Sequence, residues 1–158
     1  MSSSASRLWA KRTVILEEEA FIAILRAADR LERQIAELFK QYNLTPTQYN
    51  ALRILRGGGP DGLACSHIRD RMISRDPDIT RLLDRLKRRG LISRRRGQND
   101  RRIIKTFITS AGLELVGRID RPIEKFHLRA LRDVEKNDLR GLIDVLEKLP
   151  TLPRVVSQ

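Results

Sequence analysis

Residues 91–108 read LISRRRGQNDRRIIKTFI, and their reading decides the fold. Two runs with strand character, 91–96 and 102–108, flank the turn-forming cluster Gly97-Gln98-Asn99-Asp100. β-branched and apolar residues on either side of such a cluster predict a β-hairpin. The hairpin is heavily basic. From Lys87 to Lys105 stand nine cations (Lys87, Arg88, Arg89, Arg94, Arg95, Arg96, Arg101, Arg102 and Lys105) against the single acid Asp100. Like charges crowded on one ribbon repel each other, and a polyanion relieves that repulsion; nucleic acid is the leading candidate. A solvated basic hairpin with no partner is the plainer alternative, and the residues upstream weigh against it.

Those residues, 76–90, read DPDITRLLDRLKRRG and carry helix punctuation at both ends. Asp76 suits the cap, Pro77 the first helical position and Gly90 a left-handed exit. Ile79, Leu82, Leu83 and Leu86 fall at helical spacing on one face. At 100° per residue Arg81, Asp84, Arg85 and Arg88 point the other way, with Thr80 and Lys87 on the flank. A shorter helix over 65–73, with apolar Ile68, Met72 and Ile73, precedes it. The order helix, turn, helix, hairpin is that of a winged helix-turn-helix.

Composition agrees. The 158 residues carry a net charge of +12, which favours an acidic partner. Residues 45–108 hold sixteen Lys and Arg against six Asp and Glu, so most of the excess sits in this module. The single cysteine excludes an internal disulfide and suits a reducing, cytoplasmic setting. No apolar run approaches the ~20 residues of a membrane span, and the start, MSSSASRLWAKR, lacks an apolar signal core. No membrane partner and no cofactor are expected.

Outward from the module, residues 1–13 read as a basic arm, either packed down by Trp9 or disordered. A long helix follows over 14–42. Phe21, Ala28, Ile35 and Tyr42 recur every seven residues, with Leu25, Leu31 and Leu38 between them. This seam serves either the monomer's own core or, in part, a second copy. Thr45, Pro46 and Gln48 spell a capping box with proline at the first position, and Leu44 and Tyr49 occupy the staple positions. That helix should stop near Arg56, before Gly57-Gly-Gly-Pro-Asp-Gly62. Leu63 and Ala64 lead into the next helix. Beyond the hairpin, Thr109 opens a helix striped by Leu113, Val116, Ile119, Ile123 and Phe126, with a kink expected at Pro122. A last helix over 136–149 carries Leu139, Leu142, Ile143, Leu146 and Leu149 on one face. The predicted organisation is mainly α with a small β-hairpin wing: an N-terminal dimerisation helix (14–43), a winged module (44–108), C-terminal dimerisation helices (109–150) and a tail (151–158). Terminal amphipathic helices of this kind find partners most simply in a two-fold dimer.

These motifs resemble the MarR family of bacterial transcription regulators over roughly residues 20–149. Leu44, Thr45 and Gln48 match the family pattern of the second helix. Thr80, Arg81, Asp84, Leu86, Gly90 and Leu91 match that of the recognition helix. Arg94, Asp100, Arg102, Thr109 and Gly112 match that of the wing, with Ile108 in place of its leucine. The resemblance implies a homodimer on a pseudo-palindromic duplex operator, acting most often as a repressor, with no enzyme activity. It implies recognition-helix contacts from Asp78, Thr80, Arg81, Asp84, Arg85 and Arg88. Wing contacts fall to Arg94, Arg95, Arg96, Asp100, Arg101 and Arg102, where Asp100 orients Arg102 in the minor groove. Dimer contacts fall to Phe21, Leu25, Ala28, Leu31, Ile35, Leu139, Leu142, Ile143 and Leu146. Two departures stand out. Ala64 replaces the usual Ser or Thr cap, and Asp76-Pro77 replaces serine-proline, with Asp78 adding an acid beside DNA.

The resemblance also implies a small-molecule effector, bound between the dimer helices and the winged module, but no residue pattern marks that ligand site. Relatives that sense oxidant do so through a cysteine in the first helix, which this chain lacks. Cys65 opens a helix, where the dipole favours thiolate, but an inert cysteine is the plainer reading. His67 and His127 lack the clustered ligands of a metal site. A basic architectural protein without sequence preference is the rival function. It would not need the capped, amphipathic reading helix found here. A nucleic-acid enzyme would need clustered carboxylates or an activated nucleophile, and the glycine-rich 57–62 lacks the Lys-Ser/Thr of a phosphate loop.

Overall fold

The computed structural model describes residues 15–73, 78–96 and 104–150. In chain order these form α1 (Leu16–Lys40), α2 (Pro46–Gly57), a 3-10 turn (Gly59–Asp61), β1 (Leu63–Ala64), α3 (Cys65–Arg71), α4 (Ile79–Arg88), β2 (Ile92–Arg96), β3 (Ile104–Ile108), α5 (Ser110–Ala130) and α6 (Lys136–Glu147). The fold is mainly helical with a small antiparallel sheet, as the sequence predicts.

The sheet has three strands rather than two, in the order β1-β3-β2. Leu63 and Ala64, read as a lead-in to a helix, pair with Thr106 and Lys105 across the free edge of β3. Two residues carry no periodicity, so this strand exists because β3 offers it unpaired backbone groups. Thr106, in the middle of the sheet, is buried.

Chain reversals set the packing angles. At the end of α1, Asn43 takes a left-handed φ of 52°, and the Leu44 amide donates to the Phe39 carbonyl while that of Asn43 donates to Lys40. This is a Schellman closure with asparagine in the glycine place. Phe39 and Leu44 are both buried, as the motif's apolar contact requires, and Phe39 stacks on Tyr49 at 4.6 Å between ring centres. The capping box of α2 forms as expected: Gln48 N donates to Thr45 Oγ1 at 3.2 Å, and Thr45 N donates to Gln48 Oε1 at 3.1 Å. Leu44 and Tyr49 are buried at the two staple positions.

The chain divides into two compact units, residues 1–119 and 120–158, with the boundary inside α5. The core of the first unit draws on Phe39, Leu52, Leu55, Ile68, Leu83, Leu86, Val116 and Ile119. In the second, α5 runs through Pro122 to Ala130, Phe126 is buried and meets His127 edge-on, and α6 buries none of its residues. Among the described residues no helix is long and apolar enough to cross a membrane.

Candidate nucleic-acid interface

α4 is built as the sequence suggests, with one correction at its start. The cap is Asp78 rather than Asp76: Asp78 Oδ1 accepts from Arg81 N at 3.2 Å, and the helix begins at Ile79. Asp76 and Pro77 lie outside the described residues. The reason is local. A carboxylate placed three residues before a free amide satisfies a first-turn donor, and Asp78 stands at that spacing from Arg81. The acid expected beside DNA therefore has a structural task. At the other end Gly90 takes a φ of 70°, and the amides of Leu91 and Gly90 donate to the carbonyls of Leu86 and Lys87, a second Schellman closure.

The two faces of α4 are sharply divided. Ile79, Leu82, Leu83 and Leu86 are buried, each gaining ~1.5–3 kcal/mol from burial. Thr80, Arg81, Arg85, Lys87 and Arg88 are exposed, and Arg81, Arg85, Lys87 and Arg88 frame an open hollow together with Asp84. Asp84, the one acid on this outer face, accepts from Arg94 Nη1 of β2 at 2.7 Å. Arg94 is only 20% exposed and Asp84 50%, so the pair straps the helix to the wing and neutralises the acid. Arg81 Nε lies 2.9 Å from Asp78 Oδ2, with its side chain 80% exposed. Such a solvated pair is worth ~1 kcal/mol at most, so it holds the Arg81 guanidinium only weakly.

The wing follows from β2 and β3, paired from Ile92↔Ile108 to Arg96↔Ile104. Arg95 and Arg96 are exposed; the Arg95 guanidinium lies 5.6 Å from the centre of the Phe107 ring, within cation–π range. Asp100, Arg101 and Arg102 lie outside the described residues. The base of the wing is fastened at one point. Thr109 N donates to the Leu91 carbonyl, Thr109 Oγ1 donates to the Gly90 carbonyl at 2.7 Å, and Gly112 N donates back to Thr109 Oγ1 at 3.2 Å. A Cβ on Gly112 would stand 2.3 Å from the Leu91 oxygen. Only glycine permits that approach.

Two positioning residues escape a reading by periodicity. Asn50 is buried within α2, and its Oδ1 accepts from Ile73 N at 3.0 Å, fixing the exit of α3. Its sequence signal is a polar residue on an apolar helical face. Arg89, counted with the basic cluster, donates through Nη1 to the Asn43 carbonyl and ties the end of α4 to the α1–α2 turn. Cys65, half-buried, opens α3, whose cap Ala64 makes no side-chain hydrogen bond. Among the described residues no cluster of His, Cys, Asp or Glu could hold a metal ion.

The arrangement of α3, α4 and the three-stranded sheet defines a winged helix-turn-helix protein. A MarR family model matches residues 42–103, the span from the α1–α2 turn to the wing. The crystal structure of a MarR transcription factor from Planctomyces limnophilus is 38% identical, with a TM-score of 0.66, covering 87% of this chain and 100% of that one. The HTH-type transcriptional regulator TtmR of Methylorubrum extorquens is 30% identical over 66% of this chain, and this chain spans 53% of its length. The homoprotocatechuate degradative operon repressor of Escherichia coli is 25% identical over 87% of this chain and 91% of its own. The chain belongs to the MarR family of transcription regulators.

Proposed function

We propose that this chain is a homodimeric repressor that reads a pseudo-palindromic duplex operator, with α4 in the major groove and the β2–β3 wing along the backbone and minor groove. The carrying observation is the outer face of α4. Thr80, Arg81, Arg85 and Arg88 project together while the opposite face is buried, and the only acid among them is neutralised by Arg94. Such a helix offers groove-reading side chains on a rigid support. Asp78 and Asp84 act by holding Arg81 and Arg94, while Arg95 and Arg96 meet phosphate. From the family pattern Arg102 enters the minor groove with Asp100 beside it, and Arg101 adds charge there.

Dimer formation is supported by each unit separately. Phe21, Leu25 and Leu31 of α1 are exposed, as are Leu142, Ile143 and Leu146 of α6; Ala28 is exposed and Ile35 and Leu139 half-buried. Apolar surface repeated along helices in this way marks an association face. The organisation into terminal dimerisation helices and a central module over 44–108 follows from this reading; relief of repression by a small molecule is carried over from the family resemblance alone.

Binding-site selection from random duplex DNA tests the proposal. A pseudo-palindrome with half-sites about one helical turn apart, ~10 bp centre to centre, is the expected outcome. Selection of no motif at all would favour the architectural alternative.

A further inference from the structure

Arg89, at the end of α4, stands apart from the other cations of that helix. It follows Leu82 by seven residues, which places it within ~20° of that leucine around the helix axis. Leu82 belongs to the face turned to the core. The hollow on the outer face is lined by Arg81, Asp84, Arg85, Lys87 and Arg88, and not by Arg89. The Arg89 guanidinium goes instead to the turn between α1 and α2, where Nη1 donates to the Asn43 carbonyl. Asn43 closes α1 in the left-handed region, with its amide on the Lys40 carbonyl at 3.0 Å; its own carbonyl takes no part in that closure. Gly90, the residue after Arg89, closes α4 in the same way, with its amide on the Lys87 carbonyl at 2.9 Å. One hydrogen bond therefore joins two stiff helix exits rather than two loops.

We propose that Arg89 is a positioning residue for operator spacing: it holds α4 at a set angle to α1, so that the two reading helices of a dimer match one half-site separation. The inference rests on the dimeric reading above, in which α1 carries the association face. There α1 is held by the second copy and α4 by the groove, so the turn between α1 and α2 is where the angle between them is set. Arg81 lies eight residues from Arg89, ~12 Å along the helix. A rotation of ~15° about the Arg89 end carries Arg81 by about one base-pair step, ~3.4 Å. A tie at Asn43 is therefore placed where a small slackening changes the spacing that the dimer reads. Arginine suits such a tie, because its planar fork loses less freedom per hydrogen bond than a lysine ammonium does. Arg89 is exposed, so the bond adds only modestly to overall stability, and its loss acts on geometry rather than on folding.

The test compares affinity for the selected operator with affinity for two versions that have one base pair added or removed between the half-sites. The wild-type chain should lose about tenfold or more on the respaced duplexes, because protein or DNA must deform to re-register. Arg89→Ala should shrink that discrimination by about threefold or more, since the angle between α1 and α4 is no longer held. Its slope of affinity against salt should stay at the wild-type value, because no phosphate contact is lost. Arg95→Ala should do the opposite, lowering the slope by about one unit and keeping the spacing preference. Thermal melting checks that both variants are folded. A salt slope lowered by about one unit in Arg89→Ala would make Arg89 a phosphate contact and overturn the proposal. So would a spacing discrimination that stays within about threefold of wild type. A wild-type chain indifferent to spacing would instead sink the dimeric reading, and the proposal with it.

Discussion

α4 and α1 are both amphipathic helices, yet their apolar faces meet different fates. In α4, Leu83 and Leu86 are fully buried within the chain. In α1, Phe21 is 63% and Leu25 53% exposed, and only Phe39 at its far end is buried. The difference separates two kinds of sequence pattern. The apolar stripe of α4 is satisfied by its own fold, so its polar face is free to evolve contacts with DNA. The stripe of α1 stays largely uncovered among the described residues, which is why the proposed dimer places a second molecule against it.

That contrast is open to direct attack. Leu86→Ala should cost ~2–5 kcal/mol through lost burial and the cavity left behind, and urea melts should show that loss at every protein concentration. Leu25→Glu should act the other way. It should leave a folded chain but shift sedimentation from dimer to monomer at micromolar concentration, with operator binding falling in parallel. An unchanged oligomer would remove α1 from the association face. On the outer side of α4, Arg81→Ala should cost ~1–3 kcal/mol on the selected site and relax its base preference. A variant that keeps the wild-type motif at lower affinity would assign Arg81 to bracing through Asp78. The strap between α4 and β2 should give the next effect: in a double-mutant cycle Asp84→Ala and Arg94→Ala should couple by ~1 kcal/mol in stability. Smallest and least specific, Arg95→Ala should weaken all duplexes alike and reduce the slope of affinity against salt by about one unit.

The parts legible in the sequence were those fixed by neighbours a few residues apart. The capping box at Thr45 and Gln48, the glycine exit at Gly90 and the buried stripe of α4 each depend on spacing along one element. The third strand at Leu63–Ala64 was not legible, because its hydrogen bonds go to residues more than forty positions away. The roles of Asp84 and Arg94 were hidden for the same reason. Both fall among the positions expected from the sequence to contact DNA, and only the folded register brings one within 2.7 Å of the other. The cap shifted from Asp76 to Asp78 because the segment holds two acids of equal local aptitude, and the helix start chose between them.

The Leu91 carbonyl carries a mechanical consequence. The strand leaving α4 and the strand returning from the wing are clamped together there, since Thr109 N donates to it. The backbone of α5's first turn passes so close that Gly112 leaves no room for a methyl group. Three elements, α4, the wing and α5, thus share a single joint of a few atoms. With so little slack, the start of α5, the base of the wing and the end of α4 are held in one fixed relation. Replacing Gly112 with alanine would wedge this bearing open, changing the relative aim of helix and wing without altering any side chain on the outer face of α4.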